Sequence, residues 1–372
     1  MEIKDTKLKI LDKYILSQVV MATLACIMLF IVIWIAPETL LKVIKRTLAG
    51  VYDLSTAVQI LLLEIPKILN KALPVGLLLG TLFTFDKLSK DSEITVMRSF
   101  GISFSRIVVP VIVFSLFVTA GCFVVYDKLI PLSVKRNSVI QGDNPRSHFV
   151  YTFKDKTGAP EKIMIVSNFD KNVIEKLVVL NFSGQQYSDA NILSNIMISE
   201  NAVYKDGVWS LPVAKKYKLN EDGIFDLIED VKKVEIISGQ KAQDVYTLMT
   251  YSVKRERELN NSELLNYVKL LKKEHLMDEY NYMLNKYLQR YFHSLICVLF
   301  AILGCLLGFS QPREQRLIGF TIAIAIVFSY YITLPFFDML AEKRVLSPYI
   351  TSTIQPLAIL VVAYILKKIK DL

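Results

Sequence analysis

Residues 15–37 read ILSQVVMATLACIMLFIVIWIAP, and no side chain in this stretch is charged. A helix needs about 20 consecutive apolar residues to cross the roughly 30 Å hydrocarbon core of a bilayer. The apolar core of a cleavable signal peptide is shorter, about 7–15 residues, and no small-residue cleavage site follows here. The sequence therefore predicts that Ile15–Pro37 is retained as a first transmembrane helix.

Similar apolar runs recur along the chain. They explain why 53% of its residues are hydrophobic and why its mean hydropathy is +0.39, since soluble domains are about 45–50% apolar and have no such runs. The further uninterrupted runs are Ile107–Tyr126, Tyr291–Gln311, Leu317–Phe337 and Leu346–Leu366. Each of them is long enough to be a transmembrane helix.

Residues 57–86 are also long enough, but Glu64, Lys67 and Lys71 interrupt the first half of this stretch. The uninterrupted part, Ala72–Phe85, is too short to cross a bilayer alone. Charged side chains inside a span usually face the protein interior or a water-filled cavity rather than lipid. We therefore predict a sixth span, whose charged half lies near the outer interface or faces a cavity.

Lys and Arg residues are distributed unevenly around these spans. Six spans place both termini on one side, and basic residues are most frequent on that side. They are Lys4, Lys7, Lys9, Lys13, Lys87, Lys90, Arg98, Arg106, Arg313, Arg316, Lys367, Lys368 and Lys370, against Lys42, Lys45, Arg46, Lys343 and Arg344 in the short loops opposite. The positive-inside rule then predicts that both termini are cytoplasmic and that residues 132–265 lie outside.

The external segment has a different pattern. Short β-branched and aromatic stretches such as Leu177–Phe182 and Val231–Ile237 alternate with turn signals. Asp206-Gly207 is a hairpin signature. This pattern is typical of a sandwich, a jelly roll or an open barrel. The predicted fold is an α-helical membrane protein with an extracytoplasmic β domain between helices three and four. The predicted domains are 1–131, 132–265 and 266–372.

The sequence has no motif typical of an enzyme. It lacks G-x-x-x-x-G-K-[ST], a nucleophile elbow and H-E-x-x-H. His148, His275 and His293 have no metal-ligand spacing, and all four cysteines lie within the apolar runs. The net charge of +9 is explained better by orientation in a membrane than by nucleic-acid binding. We therefore predict no catalytic residue, no metal and no cofactor.

One cytoplasmic segment, FDKLSKDSEITVMRSFGIS at 85–103, has the features of a short amphipathic helix. Ser89, Asp91 and Ser92 are suitable N-cap residues, and Gly101 is in C-cap position. Apolar residues at helical spacing are Ile94, Met97 and Phe100. A helix over about 89–101 is predicted. It either joins two spans as a simple turn or docks into a groove of a separate ATPase as a coupling helix.

These residues resemble a known family. LPVGLLLG at 73–80, followed by LSKDSEITVMRSFGIS at 88–103, is similar to the signature of the LptF/LptG (YjgP/YjgQ) permeases of the lipopolysaccharide export system. Weaker matches are Leu11–Ile15, Trp209–Leu211, Ser262–Leu264 and Gln311–Arg316. The resemblance follows the whole chain in order, from three spans through a β domain to three spans.

Some positions depart from the family pattern. Gln311 stands where an Asn is common before Pro-Arg, and the outer loop Ala341–Arg344 lacks a frequent glycine. Leu11–Tyr14 is closer to LptG, whereas Ser92–Met97 is closer to LptF. The resemblance therefore leaves LptF and LptG as alternatives.

The resemblance implies a bacterial inner-membrane protein with a periplasmic β-jellyroll domain. Implied partners are a second LptF/LptG-type permease, an LptB-type ATPase dimer that binds ATP and Mg²⁺, and LptC/LptA-type periplasmic bridge proteins. The chain itself is then a transport subunit and not an enzyme. The residues expected to couple it to the ATPase are Ser89, Asp91, Glu93, Met97, Arg98, Phe100 and Gly101.

Basic residues near the outer ends of the spans are candidates for lipid binding. An anionic amphiphile carries its phosphates at this depth, where basic side chains can pair with them. Alternatively, these side chains extend to ordinary headgroups. Lys67 and Lys71 are favoured because they interrupt a span and lie on one helical face. The predicted lipid-binding residues are Lys42, Lys45, Arg46, Lys67, Lys71, Lys135 and Arg136.

The leading hypothesis is a permease subunit of an ABC-type exporter. It would extract lipopolysaccharide, or a related anionic lipid, from the inner membrane and pass it to a periplasmic bridge. Alternatives are an envelope scaffold or binding protein that transports nothing, a secondary carrier, and an exporter of another amphiphile such as a lipoprotein. A scaffold predicts no co-purifying ATPase, and a carrier predicts gradient-driven flux and inverted repeats, which the sequence lacks.

Overall fold

The chain divides into a helical unit and a β unit. The computed structural model describes residues 2–142, 148–154, 159–170, 173–185, 188–205, 207–219, 224–309 and 317–370. The helical unit comprises Met1–Gly142, Glu256–Val268 and His275–Leu372, and the β unit comprises Asp143–Arg255 and Lys269–Glu274. The matched loop Gln311–Arg316 and Asp206 lie outside the described residues.

Long helices form most of the helical unit. Its helices are α1 (Glu2–Ile35), α2 (Leu41–Leu48), α3 (Leu54–Lys90), α4 (Glu93–Ser99), α5 (Phe104–Val124), α6 (Ile130–Gln141), α9 (Met277–Gly308), α10 (Leu317–Glu342) and α11 (Pro348–Ile369). Single π-helical turns, Ala36–Leu40 and Val125–Leu129, join α1 to α2 and α5 to α6. Helix α3 begins after Asp53, whose carboxylate accepts a 3.1 Å hydrogen bond from the Thr56 N–H as an N-cap.

Six helical segments in the described part of the chain are long and apolar enough to cross a membrane, as the sequence predicts. Spans one to six are Ile10–Ile35, Leu54–Lys90, Phe104–Gln141, Met277–Gly308, Ile318–Glu342 and Pro348–Ile369. Spans three and four extend well beyond the predicted apolar runs at one end, and span two exceeds the predicted residues 57–86 by only three and four residues. Their polar ends interrupt the apolar pattern but do not interrupt the helix.

Spans two and four form the centre of the helical unit. In its most apolar window, span two has 72% of its residues buried, against 17% in span one and 11% in span five. Glycines allow the central helices to approach closely. A Cβ at Gly308 would lie only 2.9 Å from the Cβ of Phe85, and one at Gly80 only 2.6 Å from the Cα of Thr23. The interrupted second span is therefore the most deeply packed of the six in its apolar part.

The β unit contains one antiparallel sheet in strand order β1-β2-β3-β4-β5-β6, so each strand pairs with its neighbours in sequence. The strands are β1 (Phe149–Lys154), β2 (Pro160–Asp170), β3 (Val173–Gln185), β4 (Ser188–Lys205), β5 (Val208–Leu219) and β6 (Phe225–Ser238). In the predicted hairpin Lys205 pairs with Val208, and Gly207 has φ 77°. This sheet is the β region predicted between the third and fourth spans.

Helix α7 (Gln240–Ser252) packs on this sheet. Trp209 is fully buried, and its indole N–H donates a 3.2 Å hydrogen bond to the Ala242 carbonyl. Tyr204 and Tyr246 stack with ring centroids 4.4 Å apart. Helix α8 (Asn261–Lys273) follows α7. The predicted domain boundaries at 131 and 265 fall inside α6 and α8, because both helices continue past the points where the apolar pattern stops.

Candidate functional site

A cavity of about 350 Å³ lies within the helical unit and is lined by residues of all six spans. Basic side chains outnumber carboxylates among its described lining residues. The basic residues are Lys67, Lys71, Arg257, Lys286 and Arg290. The carboxylates are Glu256 and Asp338, and Trp34, Tyr126, Tyr330 and Tyr331 add aromatic surface. A positive cavity with apolar and aromatic walls suits an anionic amphiphile.

Helix α3 contributes Lys67 and Lys71, four residues apart on one face. Lys67 pairs with the buried Glu64 one turn earlier. The Lys71 ammonium lies 4.6 Å from the ring centroid of Trp34, a cation–π contact with the end of span one. The Tyr331 hydroxyl donates a 2.9 Å hydrogen bond to the Lys71 carbonyl. Spans one, two and five therefore meet at Lys71.

On the opposite wall, α9 donates to Asp338 of α10. Lys286 forms an ion pair with this carboxylate, and Gln289 donates a 2.7 Å hydrogen bond to its Oδ1. A largely buried carboxylate is stabilised when it is paired and hydrogen-bonded. Asp338 satisfies that condition, so spans four and five are joined by a compensated polar cluster beside the cavity.

Arg290 is the most buried cation of the site. Its guanidinium donates 2.8 Å hydrogen bonds to Asn261 Oδ1 and to the Glu256 carbonyl, and the Glu256 carboxylate accepts a 2.7 Å bond from Tyr282. Both of these Arg290 acceptors are neutral oxygens, so its charge adds to the positive field of the cavity. Arg290 also holds the segment around residues 256–261 against span four.

His293 has a structural environment. Its Nδ1 is 2.7 Å from the Tyr330 hydroxyl and its Nε2 is 3.3 Å from the Asn70 carbonyl. A carbonyl can only accept, so Nε2 carries the proton and Nδ1 accepts from Tyr330. The neutral ring is thus satisfied on both nitrogens. Among the described residues no group of His, Cys, Asp and Glu has the arrangement of a metal site.

Of the seven predicted lipid-binding residues, Lys67 and Lys71 line the cavity and the other five do not. Arg46 lies over the Tyr52 ring at 5.5 Å, and Lys135 is 3.9 Å from Glu263. Lys42, Lys45 and Arg136 are exposed. The structure therefore brings together the two residues that interrupt span two, and a lipid contact by the other five stays a prediction.

Sequence reasoning missed the polar face of α9. Lys286, Gln289, Arg290 and His293 recur at spacings of three and four, the signature of one helical face. The predicted fourth span began at Tyr291 because charges upstream interrupt the apolar run. The helix begins at Met277, so the helical spacing of these polar residues was the signal that could have located the site.

The helix of the predicted coupling segment begins later than the sequence predicts. Helix α3 continues to Lys90, so Ser89 lies within α3 and is buried, with no partner for its hydroxyl among the described residues. Asp91 ends α3, and its N–H donates to the Lys87 carbonyl. Helix α4 begins only at Glu93. Ser92 precedes it with a left-handed φ of 59° and makes no side-chain cap, because the chain reverses between two helices at this point.

The end of α4 agrees with the prediction. Gly101 has φ 82°. Its N–H donates to the Arg98 carbonyl at 2.9 Å, and the Ile102 N–H donates to the Met97 carbonyl at 3.2 Å. This is a Schellman motif, which favours glycine because the left-handed backbone leaves little room for a Cβ. Helix α4 is therefore Glu93–Ser99, shorter than the predicted 89–101.

The side chains of α4 divide into two sets. Ile94 is fully buried and Met97 packs against the same apolar core. Phe100 is 82% exposed, and the Arg98 guanidinium lies 5.6 Å from the Phe309 ring. Glu93 accepts a 3.0 Å hydrogen bond from the Tyr14 hydroxyl. One set anchors α4 to the spans, and Phe100 presents a large apolar surface outward.

Comparison with known proteins identifies the family. A sequence model of the family described as "Lipopolysaccharide export system permease LptF/LptG" matches residues 13–368. Similar curated proteins are the lipopolysaccharide export system permease proteins LptF of Escherichia coli K12 and of Shigella flexneri. Each is 27% identical over 108 residues, a match that covers 29% of this chain and 29% of the relative. The chain therefore matches less than a third of the length of these relatives. Since the family match extends over nearly all six spans and the β unit, the chain belongs to the LptF/LptG family of lipopolysaccharide export permeases.

Proposed function

We propose that this chain is the permease subunit of an ABC-type exporter that extracts lipopolysaccharide, or a closely related anionic lipid, from the inner membrane. The observation that supports it most is the cavity of the helical unit, in which basic side chains stand beside aromatic and apolar walls. Phosphates of a lipid headgroup are matched by such cations, and acyl chains are matched by apolar walls.

Two of these cations contact neighbouring spans. Lys71 contacts the face of Trp34, a neutral ring, and Lys286 shares Asp338 with two amides. A phosphate that approaches Lys71 can form a charge-assisted hydrogen bond with its ammonium, which contributes about 1.5–3 kcal/mol. Such a bond favours an anionic headgroup at this position.

Energy for transport comes from separate subunits in this proposal. The chain has no nucleotide-binding motif, so ATP and Mg²⁺ belong to an LptB-type ATPase dimer that docks on α4. Phe100 is the apolar anchor of that contact and Arg98 and Glu93 are its polar groups. A second LptF/LptG-type permease completes the transport pathway. The termini and α4 are then cytoplasmic and the β unit is periplasmic, where LptC/LptA-type proteins receive the lipid.

Affinity purification from native membranes, followed by mass spectrometry of protein and bound lipid, tests this function. The expected result is co-purification of an ATPase, a second permease and a phosphorylated glycolipid. Loss of the glycolipid in a Lys67→Gln, Lys71→Gln variant, with the ATPase retained, assigns the lipid to the cavity. A lipid-free complex without ATPase would support a scaffold instead. Flux that follows an ion gradient without ATPase would support a carrier, and an acylated protein as cargo would support lipoprotein export.

A further inference from the structure

Span one is attached to the first residue of α4 and to the start of α5. The Tyr14 hydroxyl donates a 3.0 Å hydrogen bond to Glu93, the first residue of α4. Arg106, near the start of α5, donates paired bonds of 2.8 and 2.7 Å to the two carboxylate oxygens of Asp12. Paired Arg–carboxylate contacts fix orientation as well as distance. A displacement of α4 therefore acts directly on the end of span one.

Span one approaches span two most closely at its middle. A Cβ at Gly80 would lie 2.6 Å from the Cα of Thr23. One face of the span is packed, since Ile15 and Val19 are also fully buried, and the rest is exposed, so only 17% of its most apolar window is buried. A stiff helix packed on one face can tilt along that face about its closest contact.

At its far end, span one contacts the cavity. Trp34 lies over the Lys71 ammonium at 4.6 Å and stacks on Phe30 at 5.4 Å. The α-helix ends at Ile35, and the π-helical turn Ala36–Leu40 follows it. π-Helical turns inside helices recur at functional sites because they break the regular hydrogen-bond pattern. The far end is thus joined to α2 through an irregular helical turn.

From these contacts we propose that span one is a lever, on which Tyr14 and Asp12 are positioning residues that transmit the movement of α4 to the Trp34–Lys71 contact. This inference rests on the proposed function, because it assumes that an ATPase moves α4. Tyr14 and Trp34 are about 30 Å apart along a straight helix. Rotation about the Gly80–Thr23 contact moves them in opposite directions, so movement of α4 withdraws Trp34 from Lys71 or returns it. The occupancy of the headgroup site is thereby linked to the ATPase cycle.

The test measures lipid delivered per ATP hydrolysed by the complete transport complex in vesicles. Tyr14→Phe and Asp12→Asn are expected to lower this ratio about fivefold, the factor that corresponds to about 1 kcal/mol for one hydrogen bond. Lipid bound without ATP is expected to be unchanged in both variants, because neither residue lines the cavity. ATPase co-purification is expected to be unchanged in Asp12→Asn, because Asp12 pairs with Arg106 of α5 and not with α4. Tyr364→Phe is the matched control, since Tyr364 is an exposed tyrosine near the end of span six.

A charge exchange separates transmission from simple stabilisation. Asp12→Arg is expected to lower the ratio, and Asp12→Arg combined with Arg106→Asp is expected to restore it. A wild-type ratio in both Tyr14→Phe and Asp12→Asn, in a complex that contains ATPase and glycolipid, overturns the lever and leaves the proposed function standing. A purified chain with neither ATPase nor glycolipid overturns both.

Discussion

The side-chain amide of Asn285 on α9 donates a 2.8 Å hydrogen bond to the carboxylate of Asp338 on α10. Asn285 is completely buried, and its oxygen accepts a 2.9 Å bond from Thr351 of α11. Because Lys286 and Gln289 also bind Asp338, spans four, five and six share one polar cluster beside the cavity. Removal of its central charge should therefore affect all three spans.

Asp338→Ala is expected to destabilise the helical unit by about 3–5 kcal/mol, because it leaves the Lys286 ammonium and two amides in a low-dielectric environment without their acceptor. The measurement is thermal unfolding of the detergent-solubilised protein. The control is Asp278→Ala, which removes the ion pair between the exposed residues Asp278 and Arg344 and is expected to cost only about 0–1 kcal/mol. Equal losses in the two variants would contradict a buried, cooperative cluster.

Cavity charge is tested by the amount of lipid that stays bound. Lys67→Gln with Lys71→Gln should weaken retention of phosphorylated lipid at least about tenfold, since two charge-assisted contacts are lost. Lys42→Gln with Lys45→Gln removes the same charge from the exposed face of α2 and should change retention little. The measurement is the amount of phosphorus per mole of purified protein in the wild type and in each double variant. Retention that falls equally in both variants would favour nonspecific attraction to headgroups.

Close packing between spans one and two predicts the effect of a single methyl group. Gly80→Ala places a Cβ against the Thr23 backbone and should cost about 1–3 kcal/mol through overpacking. Gly121→Ala in α5 has no heavy atom within 4 Å of the new Cβ and should stabilise by up to about 1 kcal/mol through helix propensity. Thermal unfolding of both variants distinguishes these signs. A neutral Gly80→Ala variant would show that the two helices can separate freely.

The exposed Phe100 predicts a binding effect without a folding effect. Phe100→Ala should reduce ATPase association at least about tenfold, because a buried aromatic anchor at an interface contributes about 2 kcal/mol or more. Thermal stability of the permease alone should not change, since the ring is 82% exposed. Val139→Ala, on the exposed face of α6, is the control. Normal ATPase association in Phe100→Ala would remove Phe100 from the proposed contact.

The β unit should respond to alkaline pH through Tyr151. Burial, together with the hydrogen bond to Glu274, raises the pKa of Tyr151. A raised pKa in the folded state means that the folded protein retains the proton longer than the unfolded chain. The stabilisation is complete below about pH 10, where an unfolded tyrosine is neutral, and declines as the pH rises above it. Tyr151→Phe should show a smaller alkaline loss than the wild type.

Fluorescence gives the measurement for this prediction. The chain has two tryptophans, so Trp34→Phe leaves Trp209 as the reporter of the β unit. Thermal unfolding at about pH 8 and above pH 10 is compared in this background with and without Tyr151→Phe. Identical alkaline losses would show that other groups determine the response.

Local patterns predicted most of the architecture. Uninterrupted apolar runs located five spans, and an interrupted run located the sixth. β-Branched and aromatic stretches between turn residues indicated the sheet, and the interruption by Lys67 and Lys71 indicated the cavity wall. The rest depended on pairs distant in sequence. Tyr14 and Glu93 are separated by 79 positions, and no periodicity connects them. The start of α4 was also missed, because Ser89 and Asp91 have cap chemistry whether a helix begins or ends beside them.

Helix α4 is bounded by two residues with left-handed backbone, Ser92 at φ 59° and Gly101 at φ 82°. At each of these positions the regular helical hydrogen-bond pattern is broken, so α4 is a separate short helix and not a continuation of α3 or α5. A displacement of α4 is therefore not transmitted along a continuous helix into α3 or α5. In the proposed function, a force that the ATPase applies to α4 therefore reaches the spans through side-chain contacts such as Tyr14–Glu93.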